Sequence, residues 1–324
     1  MLRFILSRLA QSLAVIFVVL TATFFLVRLA PGDPFSSERR IPDFIKQRIL
    51  EHYGLDRPAT EQYWNYLKNA APKRFRPDKI FEDDPLMSAF GINLGPSYTQ
   101  ARTVNQIIAD TFPVSLELGA WALLIAVGLG LTAGLTAAIF KNTALDYVPM
   151  SAAMVGICLP TFVMGPILAL IFGVWLGWFN VSGWFLPQDR VLPAVTLGLV
   201  YAAVIARITR GGMLEILSQD FIRTAQAKGV PYTRIVFKHT LRGGLLPVVT
   251  FMGPALAGII SGSFVVETIF QIPGLGRQFV QSAFNRDYFL VLGTVSVYAV
   301  LITLANLTVD IVQVILNPRL RFED

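Results

Sequence analysis

Residues Leu116–Phe140 read LELGAWALLIAVGLGLTAGLTAAIF, and Glu117 is the one charged side chain in this segment. A helix needs about 20 consecutive, mostly apolar residues to cross the hydrocarbon core of a bilayer. We therefore predict that this segment forms a transmembrane helix.

Five other segments are apolar enough, and long enough or nearly so, to cross a membrane. They are Leu9–Ala30, Pro149–Phe172, Val191–Ala206, Leu245–Phe264 and Phe289–Leu316. Val191–Ala206 is short, so it either lengthens into the flanking residues or forms a re-entrant segment. No charge interrupts Leu9–Val27, a stretch longer than the apolar core of a signal peptide, about 7–15 residues, so residues 1–30 are expected to form an uncleaved first helix. The sequence predicts an all-α membrane protein with six transmembrane helices.

The composition also indicates a membrane protein: of 324 residues, 54% are hydrophobic and 15% are charged. A soluble domain carries about 25% charged residues. The net charge is +6, but the basic residues cluster between apolar segments rather than forming the basic face of a nucleic-acid-binding protein. The single cysteine, Cys158, lies in an apolar segment and is expected to be a buried thiol. His52 and His239 are far apart and lack metal-ligand spacing, so we predict no metal site, and the clustering of the basic residues predicts no nucleic-acid partner.

Lys and Arg near the helix ends set the predicted orientation, because cytoplasmic loops carry an excess of them. With the N-terminus inside, twelve such residues fall on the cytoplasmic side and three on the outer side. The three outer residues are Arg190, Arg277 and Arg286. Trp175, Trp178 and Trp184 also fall outside, and Trp is enriched at the level of the headgroups. Both termini are therefore predicted to be cytoplasmic, with a tail over residues 317–324.

Residues 31–110 form a long polar segment that this orientation places outside the membrane. It opens with the turn-rich Pro31–Pro34 and contains helix-like patches at Ile41–Tyr53 and Thr60–Ala70. Two interpretations stay open: a solvated cap, or a docking surface for an external solute-binding protein.

Residues 207–244 form a second polar segment, on the predicted cytoplasmic side. Asp220 fits the N-cap of a short amphipathic helix, which Gly229 ends in the position after the C-cap. Pro231 suits the first turn of a second helix over Tyr232–Thr240. The sequence thus predicts two short helices joined by a tight turn, and such an elbow either docks into a groove of a partner or lies on anionic lipid.

This loop resembles a known motif. Residues 220–229 read DFIRTAQAKG, which is similar to the EAA loop of binding-protein-dependent ABC permeases and in particular to the dipeptide/oligopeptide class. Residues 239–247 read HTLRGGLLP and resemble that class's H-x-x-x-N-x-x-x-P, with Gly243 in place of the usual Asn. On these residues the chain resembles a permease subunit of the peptide/nickel import family.

The resemblance covers nearly the whole chain. Further similar motifs lie at Pro31–Pro34, Gly54–Pro58, Arg207–Arg210, Gly262–Gly276, Arg286–Tyr288 and Asn317–Arg321. Only residues 72–90 look like an insertion. The resemblance implies the type I ABC importer permease fold, with an extracytoplasmic insertion after the first helix and a permease core over residues 111–316 that contains the EAA loop at 215–240.

The resemblance also implies partners in the bacterial inner membrane, where lipid surrounds the chain. Two homologous permease subunits pair to form one translocation pathway, and an extracytoplasmic solute-binding protein delivers the solute. Each EAA loop seats its coupling helix in a groove of one of two cytoplasmic ABC ATPase subunits. The residues expected to couple to the ATPase are Arg223, Thr224, Ala225, Gln226, Ala227, Lys228, Gly229, Val230, Pro231, Tyr232 and Arg234.

The sequence contains no G-x-x-x-x-G-K-[ST] motif, which forms the usual phosphate-binding loop. Gly128 and Gly130 lie in an apolar segment without a following lysine and are expected to permit close helix packing. We therefore expect a non-catalytic subunit with no cofactor of its own, with ATP and Mg bound by the partner ATPase subunits.

Ionisable residues in or near the spans are candidates for function. Glu117 and Glu267 lie near the predicted outer ends of the second and fifth spans and are candidates for the pathway or outer gate. Asp310 lies in the sixth span, with Asn306 one turn earlier on the same face, and its expected role is an internal polar pair for which a cytoplasmic-side arginine is a candidate partner. Three prolines are expected to kink their helices: Pro160, Pro166 and Pro254.

Two other functions fit the pattern less well. An ion-gradient-driven secondary transporter of a small solute is expected to have inverted repeats and carboxylates near the midplane, and the sequence shows no clear repeat. An intramembrane protease needs a Ser/His or paired-Asp site, whereas the predicted spans contain no histidine. Within the resembled family the solute stays open between dipeptides, longer peptides, glutathione, nickel complexes and sugars.

Overall fold

A computed structural model describes residues 2–29, 47–48, 51, 54–73, 87 and 90–316 of the chain. Within these residues the secondary structure is helical and contains no strand, so the predicted all-α fold class is confirmed. The features predicted at Pro31–Pro34, over most of Ile41–Tyr53 and residues 72–90, and in the tail 317–324 lie outside the described residues.

The α-helices of the described residues follow one another along the chain. They are α1 (Leu2–Leu29), α2 (Ala59–Ala70), α3 (Val104–Ile139), α4 (Ala144–Cys158), α5 (Thr161–Leu168), α6 (Val191–Leu217), α7 (Asp220–Ala227), α8 (Tyr232–Arg234), α9 (Leu241–Gly244), α10 (Leu246–Ile269), α11 (Leu275–Phe284) and α12 (Tyr288–Leu316). The π-helical segments Ala169–Trp175 and Ile235–Thr240 continue α5 and α8, and a 3₁₀ turn at Pro187–Arg190 leads into α6.

Five helices of the described residues are each long and apolar enough to cross a membrane: α1, α3, α6 with its preceding turn, α10 and α12. A sixth span results if α4 and α5 together count as one, which agrees with the six predicted helices. The segment Val191–Ala206 continues as α6 to Leu217, so the re-entrant alternative for it is wrong.

The predicted span Pro149–Phe172 is broken instead. Its two halves, α4 and α5, are bent by 112° relative to each other. Leu159 lies at the break with φ −89° and ψ 116°, and the ring of Pro160 disfavours a helical conformation of the residue before it. The kink predicted at Pro160 is therefore confirmed. Pro166 and Pro254 lie inside α5 and α10, and the kinks expected there stay predictions.

The chain divides into two compact units, each with its own buried core. The first contains Met1–Ala10, Ser115–Ile272 and Leu301–Asp324, and the second contains Gln11–Val114 and Pro273–Val300.

In the first unit, glycines let α3 and α6 approach closely. A Cβ atom on Gly130 would lie 2.7 Å from the Cβ atom of Ile205, and one on Gly134 would lie 2.5 Å from the carbonyl oxygen of Ala206. Neither position has room for a side chain, as expected where small residues pack helices within a membrane. The packing role predicted for Gly130 is confirmed, whereas a Cβ on Gly128 would meet nothing within 4 Å.

Two predictions about single side chains of the first unit have opposite outcomes. Cys158 is exposed, so the prediction of a buried thiol is wrong. It is the last residue of α4, where the helix ends at the break. Asp310 forms the predicted ion pair with an arginine, because its Oδ2 atom lies 3.2 Å from Nε of Arg8.

The second unit buries one face of α2 against α1 and α12. Phe24, Tyr63, Tyr66 and Leu292 form one buried cluster. The hydroxyl groups of Tyr63 and Thr21 lie 2.6 Å apart. The aromatic residues of α2 thus hold this helix to the rest of the second unit.

A buried carboxylate fixes the segment that precedes α3 in the second unit. Asp287, fully buried just before α12, accepts hydrogen bonds from the Ser97 hydroxyl at 2.5 Å and from the backbone N–H groups of Tyr98 and Thr99 at 3.0 and 3.2 Å. It also accepts from the Leu290 N–H at 3.2 Å and so caps the first turn of α12.

Candidate functional site

The loop 215–240 contains α7, which begins one residue before the sequence predicts. Gln219, with φ −71° and ψ 150°, is the N-cap, and Asp220 is the first helical residue. The predicted N-cap role of Asp220 is therefore wrong, because the extended residue that introduces the helix is Gln219. The Asp220 carboxylate still lies in the first turn, where it interacts favourably with the helix dipole, and it pairs with Arg223 at 3.5 Å.

The end of α7 is a Schellman motif. The Val230 N–H donates to the Ala225 carbonyl at 3.1 Å, and the Gly229 N–H donates to the Gln226 carbonyl at 2.9 Å. Gly229 has φ +76°, so its predicted position after the C-cap is confirmed. A Cβ at Gly229 would meet nothing within 4 Å, so the backbone conformation, rather than a lack of space, requires glycine.

The second half of the elbow starts at Pro231. This residue is extended, at φ −61° and ψ 141°, and is the N-cap of α8 rather than a member of its first turn. The predicted helix Tyr232–Thr240 is present over its whole length, but after Arg234 its hydrogen bonding is π-helical.

Few side chains anchor this elbow to its own chain. Ile222 is the buried side chain of α7, and Ile235 and Val236 are buried at the start of the π-helical segment. Val236 packs in one cluster with Ala138 of α3 and Met213 of α6. The elbow is therefore attached through apolar contacts to two of the long helices.

The rest of the elbow faces outward. Phe221 is 51% exposed and Phe237 is 62% exposed, so the elbow presents large apolar side chains outward. Of the residues predicted to couple to an ATPase, nine are exposed: Arg223, Thr224, Gln226, Ala227, Lys228, Gly229, Pro231, Tyr232 and Arg234. Ala225 and Val230 are partly buried. The structure brings all eleven predicted residues together on one elbow.

The exposed cations of the elbow lack buried carboxylate partners. Arg223 pairs with the exposed Asp220 of the same helix. Lys228 and Arg234 form no ion pair with any residue that the structure describes. The elbow thus presents aromatic rings and unpaired basic groups side by side, a composition suited to an acidic and partly apolar surface.

The two predicted gate carboxylates have different surroundings. Glu117 is 39% exposed, and its Oε1 atom accepts a hydrogen bond from Nε of Arg190 at 2.5 Å. The Trp184 indole N–H donates to the same carboxylate at 3.3 Å, and the Arg190 guanidinium lies 4.8 Å from the Trp184 ring centre. Glu267 is fully buried and accepts a hydrogen bond from the Ser115 hydroxyl at 2.7 Å. The two carboxylates therefore have different hydrogen-bond partners, Arg190 and Trp184 for Glu117 and Ser115 for Glu267.

Sequence reasoning missed one buried ion pair. Asp146, 1% exposed in α4, accepts two hydrogen bonds from the Arg210 guanidinium of α6, at 2.6 and 2.8 Å. The backbone N–H of Asn142 also donates to Asp146 at 2.9 Å. The sequence does hold a signal for Asp146 itself, because an ionisable residue beside an apolar segment is a functional candidate by default, but none for its partner.

Comparison with known proteins assigns this architecture to a family. Residues 130–322 match the family described as "Binding-protein-dependent transport system inner membrane component", and residues 1–119 match the corresponding N-terminal family. The chain belongs to this family. The predicted resemblance is thereby confirmed, as is the inner-membrane location.

Individual relatives align with the permease from end to end. It is 44% identical over 324 residues to the oligopeptide transport system permease protein OppB of Haemophilus influenzae, covering 99% of this chain and 100% of that protein. It is 39% identical over 322 residues to the dipeptide transport system permease protein DppB of Bacillus subtilis, covering 99% of this chain and 98% of that protein.

Solved structures support the fold. A chain of the MetNI methionine ABC transporter in inward facing conformations matches the permease with a TM-score of 0.54 and 18% identity, covering 65% of this chain and 96% of that chain. A chain of an amino acid ABC transporter with histidines matches with a TM-score of 0.51 and 19% identity, covering 64% and 92%. The permease thus has the fold of ABC importer permeases, as the sequence predicts.

Proposed function

We propose that this permease, paired with a second homologous permease subunit, forms the translocation pathway of an ATP-driven importer of di- or oligopeptides. The peptide substrate is supported by the relatives, which are named as oligopeptide and dipeptide permeases over their full lengths. The single observation that carries the coupling mechanism is the elbow at 215–240, whose exposed aromatic and basic side chains lack a partner surface in the described chain.

In this proposal the elbow is the coupling helix that docks on one of two cytoplasmic ABC ATPase subunits. Those subunits bind ATP and Mg and carry out the hydrolysis, and an extracytoplasmic solute-binding protein delivers the peptide. The orientation with both termini in the cytoplasm is supported by the excess of Lys and Arg on the side of the elbow. The permease is then a non-catalytic subunit.

Movement of the ATPases reaches the spans through short connections. α6 ends at Leu217, and α7 begins at Asp220, so a displacement of α7 acts directly on the end of a long helix. The Schellman motif at Gly229 fixes the direction in which the chain leaves α7. Val236 joins the second half of the elbow to α3 and α6, so both long helices move with it as rigid bodies.

The buried ion pair extends this path to the broken span. Arg210 lies on α6, about two helical turns before its end, and holds Asp146 near the start of α4. α4 ends at the 112° break. We infer that a tilt of α6 is passed through Arg210 and Asp146 to α4, and so to the bend between α4 and α5.

We also propose the outer carboxylates as gate elements. Glu117 is half exposed and holds Arg190 and Trp184, so it ties the turn before α6 to α3. Glu267 is shielded in this conformation, so it can face a solute only in a second conformation in which the packing around Ser115 opens.

The test of this function is isolation of the whole assembly from its native membrane. We expect the two ATPase subunits to co-purify with the permease, and ATP hydrolysis by the assembly in a bilayer to rise severalfold when the binding protein is added with peptide. The empty binding protein and an ATPase variant that cannot hydrolyse ATP are the controls. A permease that purifies without any ATPase, or whose peptide uptake follows an ion gradient in the absence of ATP, would contradict the proposal.

A further inference from the structure

A polar cavity lies within the second unit. It has a volume of about 340 Å³ and is lined by the end of α1, by α2 and by residues 93–96. Small-molecule sites occupy about 300–1,000 Å³, so this cavity has room for a small ligand or for one end of a larger one. The transport mechanism proposed above does not involve this cavity.

Arg28, at the end of α1, is the most distinctive residue of the cavity wall. Its Nε and Nη2 atoms donate to the Gln62 side-chain oxygen at 3.2 and 2.9 Å, and Nη1 donates to the Phe24 carbonyl at 3.2 Å. A guanidinium has five N–H donors, so one N–H on each of Nη1 and Nη2 remains. Guanidinium N–H groups form strong, charge-assisted hydrogen bonds with a carboxylate.

The charge of Arg28 has no anionic partner in the described residues. No carboxylate lies within ion-pair distance of its guanidinium, which instead rests 3.5 Å from the ring centre of Phe24. Arg57, the other lining arginine, pairs with Glu61 at 3.0 Å. Burial raises the pKa of Tyr66, which also lines the cavity, to about 12, so its phenol is neutral.

Side-chain amides also line the cavity. Asn65 and Asn69 lie one turn apart on α2 and line the cavity together. Both are exposed, and neither side-chain amide is hydrogen-bonded to another described residue. Asn93 uses its Oδ1 atom to accept from the Gly95 N–H at 2.9 Å, which leaves its NH₂ group available. Amides offer a donor and an acceptor together, which is the hydrogen-bonding pattern that a peptide group requires.

We infer that this cavity is a subsite for the carboxyl-terminal end of a peptide, with Arg28 binding the terminal carboxylate and Asn65 and Asn69 binding the adjacent peptide groups. This inference rests on the proposed function in peptide import. The apolar side of the cavity, formed by Leu94 and Phe289, favours an uncharged last side chain. Glu51 also lines the cavity, so a free carboxylate is expected to bind at the Arg28 side, away from it.

The test compares two peptides of identical sequence, one with a free terminal carboxylate and one with a terminal amide. Uptake of each is measured with the complete assembly and its binding protein in vesicles, and kcat/KM for the acid is divided by kcat/KM for the amide. Any preference of the binding protein itself is the same for every permease variant, so it cancels when variants are compared. We expect Arg28→Gln to lower this ratio about tenfold relative to the unmodified permease, through a larger KM for the acid.

Matched variants separate recognition from stability. Arg102→Gln removes an arginine of the same unit that pairs with Asp110 and does not line the cavity, so the ratio should stay unchanged. Asn65→Asp puts a negative charge on the exposed wall, and it should lower the ratio severalfold while leaving uptake of the amide nearly intact. This second variant tests the inference even if Arg28→Gln does not assemble.

Three different results would contradict the carboxylate subsite. If Arg28→Gln and Asn65→Asp slow uptake of both peptides equally, Arg28 has a structural role and the subsite is wrong. If the ratio is unchanged but the affinity of the assembly for its binding protein falls, the cavity receives a protein side chain instead, and the subsite is again wrong. If the unmodified assembly takes up neither peptide, the proposed function fails and the subsite fails with it.

Discussion

At Gly229 the left-handed backbone conformation dictates the residue. Because φ is +76° and the space around the Cα atom is open, Gly229→Ala costs about 1–2 kcal/mol of backbone strain without a clash. We expect Gly229→Ala to shift the end of α7 and lower transport, and Gly229→Asp to abolish it by adding a negative charge to the basic elbow. The measurement is peptide uptake at equal amounts of membrane-inserted permease.

The control for this prediction is Gly211→Ala. Gly211, in α6, also has open space around its Cα atom, but its backbone is helical, so alanine should be tolerated there or should stabilise the helix slightly. Normal uptake by Gly229→Asp at normal expression would defeat the assignment of this turn to coupling.

The ion pair between Asp146 and Arg210 gives a second prediction for single residues. Arg210→Gln leaves the Asp146 carboxylate, 1% exposed, without its partner, and we expect the permease to lose about 3 kcal/mol of stability. The double variant Arg210→Gln with Asp146→Asn removes the stranded charge and should recover part of the loss. Thermal unfolding of the purified permease measures both.

The matched control is Arg190→Gln, because the carboxylate that it leaves, Glu117, is 39% exposed. A pair of this exposure contributes only about 0–1 kcal/mol. Equal losses for Arg190→Gln and Arg210→Gln would show that burial of Asp146 does not govern the energetics.

Residue types with a strong local preference were predictable from the sequence, and long-range partners were not. The position of Gly229 after the C-cap is predictable, since only a few residue types suit the end of a helix. The N-cap prediction for Asp220 is wrong by one position, because Asp favours the N-cap and the first turn alike. The pairing of Asp146 with Arg210 depends on how α4 packs on α6, which no local pattern encodes.

Among the elements, the segment 97–100 depends on α12 for its conformation. Asp287→Ala removes the acceptor of the Tyr98 and Thr99 N–H groups and of the Ser97 hydroxyl, each a hydrogen bond to a charged group worth about 1.5–3 kcal/mol. We expect amide hydrogen exchange at Tyr98 and Thr99 to accelerate at least tenfold. Asp110→Ala, which removes an exposed carboxylate of α3, is the control and should leave this exchange unchanged. Protection that persists in Asp287→Ala would show that other contacts hold the segment.

The break between α4 and α5 illustrates what can be predicted for an element. Pro160 indicated a kink, since its ring disfavours a helical Leu159. The angle of 112° was not predictable, because a proline restricts the residue before it without fixing the angle between the two helices. Similarly, the hydropathy of Val191–Ala206 underestimates the length of α6, because the last turns of this helix carry polar residues and are still helical.

For the whole molecule, the number of apolar segments and the motifs over most of the chain were sufficient to predict the helical class and the family. The division into two compact units was not predictable, because α1, α3 and α12 each contribute residues to both. The candidate cavity beside Arg28 was not predictable either, because its residues come from four separate parts of the sequence.

Site-directed crosslinking tests most directly whether the elbow at 215–240 contacts the ATPase. In a Cys158→Ser background, Gln226→Cys places one thiol on the exposed face of α7, and Phe185→Cys places one before the other end of α6. The 27 residues of α6 separate these ends by about 40 Å. We predict that Gln226→Cys crosslinks to an ATPase subunit in the intact assembly and that Phe185→Cys does not. A crosslink from Phe185→Cys, or none from Gln226→Cys in an assembly that hydrolyses ATP, would contradict this account.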